Sequence, residues 1–304
     1  MIWELINEYP ATVLTGEADR FFADAVKRRT GSVVIRPVPD ARSGLRTHEQ
    51  LKAVSDGRFA MASSFAGALA GESPVFLLSS LPFVTQSAGD ARALAAAALP
   101  LYERLFAERR QKLIYLSPWP PTGLWSARAV TGVDALRSLR VRTYDKASAD
   151  LFVRAAAAGR AVSFADLPPM LASGEIDAVL SSGDGDAGQR LQKQLKHFTA
   201  ITYAVPLSFG TVSLAAWDKL DAPGRAAVEA AGHETTEHQW TALSGRVARN
   251  HAAFRSSGVQ VNERPAAGVM VALREAATAT IDDWRKTAGA EAAAVLDAQM
   301  KRRP

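Results

Sequence analysis

The chain has no cysteine, which excludes disulfides and thiolate metal sites. It leaves the compartment open, because periplasmic and cytosolic proteins can both lack the residue. No apolar run approaches the ~20 residues needed to cross a bilayer. A basic-then-apolar leader is also missing, and Met1 passes straight into a strand-like pattern over 2–6. A mature domain whose secretion signal had been replaced by a start codon would begin this way, and so would a cytosolic chain. Dense single-sign charge is scarce. Lys and Arg (36) exceed Asp and Glu (31) by a net +5, yet they are scattered; one short run, Lys27-Arg28-Arg29, lies in a helical pattern, and the other ends the chain at Lys301-Arg302-Arg303. That terminal run reads as a solvated end and not as a nucleic-acid arm. With 48% apolar and 22% charged residues in 304, the composition is globular and long enough for two domains, each with its own core.

The pattern that is present is α/β. A strand over 2–6, a helix over 16–29 with Phe21, Phe22, Ala25 and Val26 on one face, a strand over 33–38, a helix capped by a Thr47–Gln50 box and a strand over 59–63 make a βαβαβ unit. A second unit runs over 139–182. It has a strand at 140–142, a helix over 146–158 closed by Gly159, a strand over 161–164, a short helix capped by Asp166 and stopped by Gly174, and a strand over 176–180. Between the units, 88–111 reads as an alanine-rich helix and 112–116 as a strand. The stretch Trp119-Pro120-Pro121-Thr122-Gly123 breaks regular structure and suits a crossing between domains. Strand-like runs over 201–216, around Pro206 and Gly210, offer a second crossing. Two α/β lobes joined by such crossings form a cleft-and-hinge body. A helical pattern from Asp221 to Phe254 would span roughly 50 Å if unbroken, and two helices would result from a break at Gly232 or Gly245.

Candidate chemistry is sparse. The 183–188 stretch, Gly183-Asp184-Gly185-Asp186-Ala187-Gly188, matches GxGxxG between a strand and a helical run, the context of a dinucleotide fingerprint. Asp184 and Asp186 would repel a pyrophosphate there, and 201–211 carries no acid to hold a ribose. A calcium loop starting at Asp184 would need a glutamate where Leu195 stands. His233 and His238 are spaced i, i+5 and diverge around a helix, so no zinc pair forms. No GxSxG elbow occurs. Neither a catalytic residue, a metal nor a cofactor is expected. An arginine at a strand end in a cleft needs an anionic partner, and Arg142 could find one in a ligand carboxylate or in Asp145 or Asp150. Trp119, Trp125, Phe164 and Phe209 fall at strand ends or crossings, where each can serve as core or as ligand platform.

With these residues in view, almost the whole chain resembles the solute receptors of TRAP (tripartite ATP-independent periplasmic) transporters. The resemblance is carried by Gly16-Glu17, by Gln50-Leu51-Lys52-Ala53-Val54-Ser55-Asp56-Gly57 and by Leu81-Pro82-Phe83. It continues through Leu139-Arg140-Val141-Arg142, Ser163-Phe164-Ala165-Asp166-Leu167, Leu171 with Gly174-Glu175-Ile176-Asp177-Ala178, and the helix after Trp217-Asp218-Lys219-Leu220. Their order and spacing carry more weight than any one of them.

The resemblance implies a two-lobed, periplasmic-binding-protein-like (Venus flytrap) α/β fold. The expected division is lobe I over 1–123 with part of 209–255 returning to it, and lobe II over 124–208. A long spanning helix is expected over 221–255, with C-terminal helices over 256–304 packing on the lobes. It also implies a periplasmic receptor, its signal removed, that binds a small organic acid and delivers it to TRAP membrane permease subunits driven by an ion gradient. Arg142 takes the position of the family's carboxylate clamp and Phe164 that of its ligand-packing aromatic. Tyr9, Ser64, Phe65, Trp119, Trp125, Ser181, Ser182 and Phe209 complete the expected site. Trp125 stands where some members place a second arginine, and Ser181 and Ser182 where an asparagine is common. These departures favour a monocarboxylate with an apolar or aromatic body. A monomer is expected. The rival readings are an NAD(P)-dependent oxidoreductase built on 183–188, and a receptor that senses its ligand without transport.

Overall fold

A computed structural model describes residues 1–302; Arg303 of the basic terminal run lies outside them. Among the described residues eleven strands form two sheets. They are β1 (Ile2–Asn7), β2 (Val34–Val38), β3 (Met61–Phe65), β4 (Gln111–Pro118), β5 (Gly123–Ser126), β6 (Arg140–Thr143), β7 (Ala158–Ala161), β8 (Ala178–Ser181), β9 (His197–Thr199), β10 (Leu207–Ser213) and β11 (Gln260–Asn262). The first sheet has the order β2-β1-β3-β10-β4 and the second β11-β9-β5-β8-β6-β7. Both βαβαβ units expected from the sequence are present. β1 pairs in parallel with β2 and β3, and β6 in parallel with β7 and β8. In each sheet the third strand of the unit then pairs antiparallel with a strand that begins or ends a crossing, β10 or β5. The chain passes between the sheets at 119–122 and again at 200–206, so the architecture is two-lobed α/β.

The first lobe packs its sheet between helices. Helix Leu14–Arg29 buries Leu14, Ala18, Phe22, Ala25 and Val26 at helical spacing, while Phe21 is half-buried and stacks on His238. β2 is an edge strand, which tolerates Pro37 because one side needs no ladder donors. A separate cluster of buried residues belongs to neither lobe alone. It joins Tyr9, Val13, Phe65 and Trp119 to Trp125, Phe164, Leu167 and Phe254 across the cleft.

Several local expectations are corrected. Helix Lys146–Arg154 ends before Gly159, and the reversal is made by Ala156 at φ 63. Gly159 lies inside β7, where a Cβ would sit 2.3 Å from the Ala149 carbonyl oxygen, so it serves close strand-to-helix packing and stops nothing. The strand expected over 161–164 is therefore three residues earlier. Helix Thr47–Ser55 is not closed by a Thr47–Gln50 box. Glu49 accepts from the Arg46 N–H (2.7 Å), and Glu8 accepts from the Thr47 N–H (2.7 Å). Asp166 stands before helix Leu167–Ala172 without a side-chain cap bond, and its carboxylate takes Arg46 instead.

The helical pattern over 221–254 forms as Ala222–Leu243 and Arg246–Ser256, which together run from one lobe to the other. The bend is at Ser244, extended at ψ 129, and Gly245, in the left-handed region at φ 70. Gly232, the other candidate break, lies within the first segment. Helix Ala267–Ala288 straddles the lobes unbroken. Val269, Leu273 and Ala276 pack on the second, while Ile281 and Trp284 pack on the first, with the Trp284 indole donating to the Pro74 carbonyl (2.7 Å).

Gly232 gives a test of this packing. A Cβ there would lie 2.3 Å from the Ile114 carbonyl oxygen on β4. Gly to Ala in a helix interior ordinarily gains about 1 kcal/mol. Here Gly232→Ala is expected to lose stability, by about 1–3 kcal/mol in urea unfolding, because strand backbone cannot step aside. A gain would show that the helix rides higher on the sheet.

Candidate functional site

The C-terminal ends of the parallel strands converge between the lobes, as open α/β sheets arrange them. β1 leads to Tyr9, β3 ends at Phe65, β6 carries Arg142 and leads to Tyr144, and β8 leads through Ser181 to Ser182. Phe164 follows β7, and Trp119, Thr122 and Pro206 come from the two crossings. These groups, with Leu180 and Ala187, line a narrow pocket between the lobes.

Arg142 is 2% exposed. Its Nε donates to the Val162 carbonyl (2.8 Å), and its guanidinium carbon lies 5.9 Å from the centre of the Phe164 ring. Among the described residues no carboxylate comes within ion-pair distance of it. Neither acid the sequence offered pairs with it, although Asp145 Oδ2 is itself buried without a hydrogen-bond partner. Asp145 accepts from the Ser148 N–H (2.7 Å) and hydroxyl (2.6 Å) as the cap of helix Lys146–Arg154, and Asp150 takes Lys146 (2.6 Å). A buried guanidinium without a counter-ion is costly, so an anion bound in the cavity has much to offset.

Tyr9 stacks on Phe164 (centroids 5.4 Å, 28°) and meets Trp119 edge-on (4.7 Å), while Phe65 meets Tyr144 edge-on (5.0 Å). Burial raises the Tyr9 hydroxyl's pKa; Glu8 adds to the rise and Arg142 opposes it, so Tyr9 stays a protonated donor. Tyr144 is likewise pushed up by burial and then by Asp145. The Trp119 indole is spent on the Ser208 hydroxyl (3.0 Å), leaving its apolar surface to the cavity. Ser181 Oγ accepts from the Gly183 N–H (3.1 Å) and keeps its own proton to donate. The result is one cation and a few hydroxyls in an aromatic box.

Of the ten expected site residues, Arg142, Phe164, Tyr9, Phe65, Trp119, Ser181 and Ser182 line this cavity. Trp125 does not. It is fully buried, edge-on to Phe198 (5.2 Å) and Phe254 (4.6 Å). Phe209 sits in the first lobe's core against Tyr102 (4.7 Å) and Phe106 (5.3 Å), and Ser64 donates to Gln50 Oε1 (2.8 Å). For Phe209 and Ser64 a strand neighbour faces the site instead, Ser208 behind Trp119 and Phe65 in the wall, as strand alternation dictates. Tyr144, Thr122, Leu180, Ala187 and Pro206 were not expected. Tyr144 had a signal, since it lies two residues past Arg142 and so on the same face.

The 183–188 loop holds no room for a dinucleotide, which removes the oxidoreductase reading. Asp184 is fully buried. It accepts from the Leu14 N–H (2.6 Å), Arg246 Nε (2.7 Å) and Asn250 Nδ2 (2.8 Å), so it holds the start of helix Leu14–Arg29 in the first lobe. A Cβ on Gly183 would lie 2.3 Å from the Trp125 ring. Gly183 thus serves packing within the second lobe, while Gly185, whose Cβ would lie 2.4 Å from the Thr12 carbonyl oxygen, serves contact between the lobes, and the acid that argued against phosphate makes that contact.

A pocket walled by residues of both lobes suits a molecule that is enclosed between them and later released, which is how two-lobed solute receptors work. The comparisons agree. Residues 7–287 match the model for DctP, bacterial extracellular solute-binding protein, family 7, and the chain belongs to that family, the receptors of TRAP transporters. These are binding proteins, not enzymes. Among solved structures, DctP7 of Bordetella pertussis, an extracytoplasmic solute receptor binding pyroglutamic acid, is 26% identical with a TM-score of 0.93, each chain covered to 99%. DctP6 of the same organism, also binding pyroglutamic acid, is 26% identical with a TM-score of 0.92, over 99% of this chain and 100% of that one. A marine metagenome TRAP solute-binding protein specific for pyroglutamate is 25% identical with a TM-score of 0.92, each chain covered to 99%. No curated protein matches the sequence. Among the described residues no helix is long and apolar enough to cross a membrane.

Beneath the cavity lies a buried acid that supports it. Asp19 accepts from Asn7 Nδ2 (2.7 Å) and the Tyr115 hydroxyl (2.8 Å), and Asn7 Oδ1 accepts from the Tyr9 N–H (2.9 Å). Burial pushes the Asp19 carboxyl from 3.8 to about 7, against the pull of those hydrogen bonds. Its folded-state pKa is raised, so the folded protein holds this proton more tightly than the unfolded chain. The associated stability is present below about pH 4 and is lost as pH rises to about 7. Burial pushes Asp145 the same way, to about 6. The urea midpoint should therefore fall between pH 5 and pH 8, and Asp19→Asn should shrink that fall. An unchanged fall in the variant would remove Asp19 as its source.

Proposed function

We propose that this receptor binds a compact monocarboxylate with an apolar or cyclic body, pyroglutamate being the first candidate, and delivers it to a TRAP permease in the periplasm. The observation that carries the reading is Arg142, a buried cation in a small aromatic cavity without a carboxylate of its own. A ligand carboxylate would take its free donors in a charge-assisted pair. Tyr144, Thr122, Ser181 and Ser182 offer the hydroxyls that a lactam or hydroxyl on the ligand needs. Glu8 and Asp145 both act on Tyr9 with negative charge, so a second ligand carboxylate would meet repulsion once the first had neutralised Arg142. The solved relatives whose reported ligand is pyroglutamate add to this choice.

The mechanism is a population shift. The lobes built on the two sheets separate about the crossings, admit the acid, and close because only the closed state touches it from both sides. The receptor acts as a monomer, exported by a signal that is then removed, and its family places an ion-gradient-driven permease downstream.

A thermal-shift series with pyroglutamate, aromatic and aliphatic monocarboxylates, dicarboxylates and NADH tests the reading, since any ligand of the folded state raises the melting temperature by mass action. Monocarboxylates should stabilise the wild type, and Arg142→Ala should keep its fold while losing about 2–5 kcal/mol of affinity. Stabilisation by dicarboxylates alone would overturn the ligand class. Undiminished binding by Arg142→Ala would overturn the clamp.

A further inference from the structure

We infer that Glu8 is a positioning residue, holding Phe164 in the cavity wall from the opposite lobe and so setting how long a bound acid is retained. The inference rests on the reading that an acid occupies the cavity; Glu8 is not among the residues lining it but lines the wider pocket beside it, which shares Tyr9, Arg142 and Phe164. Glu8 is 3% exposed. Its Oε2 faces its own lobe and accepts from the Thr47 N–H (2.7 Å) and hydroxyl (2.7 Å) at the start of helix Thr47–Ser55. Its Oε1 crosses the cleft, accepting from the Ser163 hydroxyl and from the Ala165 N–H (3.0 Å). Four donors fill what a carboxylate accepts.

The two donors of the second lobe are the neighbours of Phe164 on either side. One side chain of the first lobe thus grips residues 163 and 165 and leaves 164 projecting between them. Phe164 stacks on Tyr9, the residue next to Glu8, and lies 5.9 Å from the Arg142 guanidinium. Tyr9 and Phe164, the two rings beside the Arg142 guanidinium, are therefore held against each other with the help of the Glu8 carboxylate. Arg46 and Asp166 pair nearby (2.6 Å), but both are substantially exposed and such pairs contribute little.

Separating the lobes removes the donors of Oε1 and leaves those of Oε2. Glu8 keeps its place in the first lobe whether the cleft is open or shut, and its bonds to Ser163 and Ala165 exist only when shut. Contacts made only in the closed state stabilise it against the open one. Since the acid enters the open form, their loss should speed release without slowing capture.

The experiment uses stopped-flow tryptophan fluorescence with pyroglutamate on wild type, Ser163→Ala and Glu8→Gln. Ser163→Ala removes a closed-state donor and leaves Glu8 with Thr47. Its dissociation rate should rise roughly tenfold, with an association rate within about twofold of wild type and an unchanged melting temperature without ligand. Glu8→Gln should release faster still; if it fails to fold, Ser163→Ala carries the test. Unchanged dissociation in Ser163→Ala, or a slowed association, would overturn the role. A second readout separates this from the ligand assignment. Because the chain has no cysteine, spin labels can be placed through Lys52→Cys and Asp134→Cys, both exposed, to report the distance between lobes. If the wild type takes up no acid of the series, the proposed ligand class falls, while Ser163→Ala should still shift ligand-free molecules toward the longer distance. An identical distribution would count against Glu8 independently.

Discussion

The site depends on a positive charge placed inside a sheet and given no carboxylate to pair with there. Arg142 is on β6, which has β8 on one side and β7 on the other, so its backbone is held in the ladder while its buried side chain leaves one face of the sheet to line the pocket. The nearby acids are each drawn off by something local. Asp145 completes the first turn of the helix that follows, and Asp150 lies one helical turn from Lys146. Asp145 Oδ1 turned to Ser148 and Asp150 turned to Lys146 leave the guanidinium without an ion pair. The surrounding rings then lower the local polarity, so the charge interacts strongly with whatever anion reaches it.

The two lobes repeat a pattern, and the repeat explains how they meet. Each sheet has the spatial order second-first-third strand, followed by an antiparallel neighbour at a crossing. Identical order brings equivalent strand ends face to face across the cleft. Each lobe also sends a buried carboxylate to backbone donors of the other. Glu8, just past β1, reaches the N–H of Ala165, and Asp184, shortly past β8, reaches the N–H of Leu14. Carboxylates suit this task because backbone N–H groups at the starts of turns and helices otherwise lack partners when buried.

Much of this was legible in the sequence, and the exceptions have physical causes. Both βαβαβ units could be read because each strand is short, apolar and bounded by turn residues. Arg142 and Phe164 could be placed because the motifs around them are contiguous. Trp125, Phe209 and Ser64 went astray because a one-residue change of strand face moves a side chain from cavity to core, and no local pattern fixes the face when both sides are buried. Gly159 and Gly183 suggested a stop and a phosphate loop, whereas each is small because another group lies against it. Glu8 could not be found at all. Its partners lie 39, 155 and 157 positions away, and nothing near it in the chain distinguishes it from a surface acid.

Helix Ala267–Ala288 has a mechanical consequence. It is a rod roughly 33 Å long, fastened by Val269 and Leu273 to one lobe and by Ile281 and Trp284 to the other. The crossings alone would let the lobes swing freely, as a door on pins. With the rod in place, opening must flex it or peel one end from its seat, and either response pushes back. Such an arrangement is a sprung jaw, whose stiffness is written in a helix that does not line the cavity. Substitutions along its apolar stripe would tune the opening angle while leaving the chemistry of the cavity untouched.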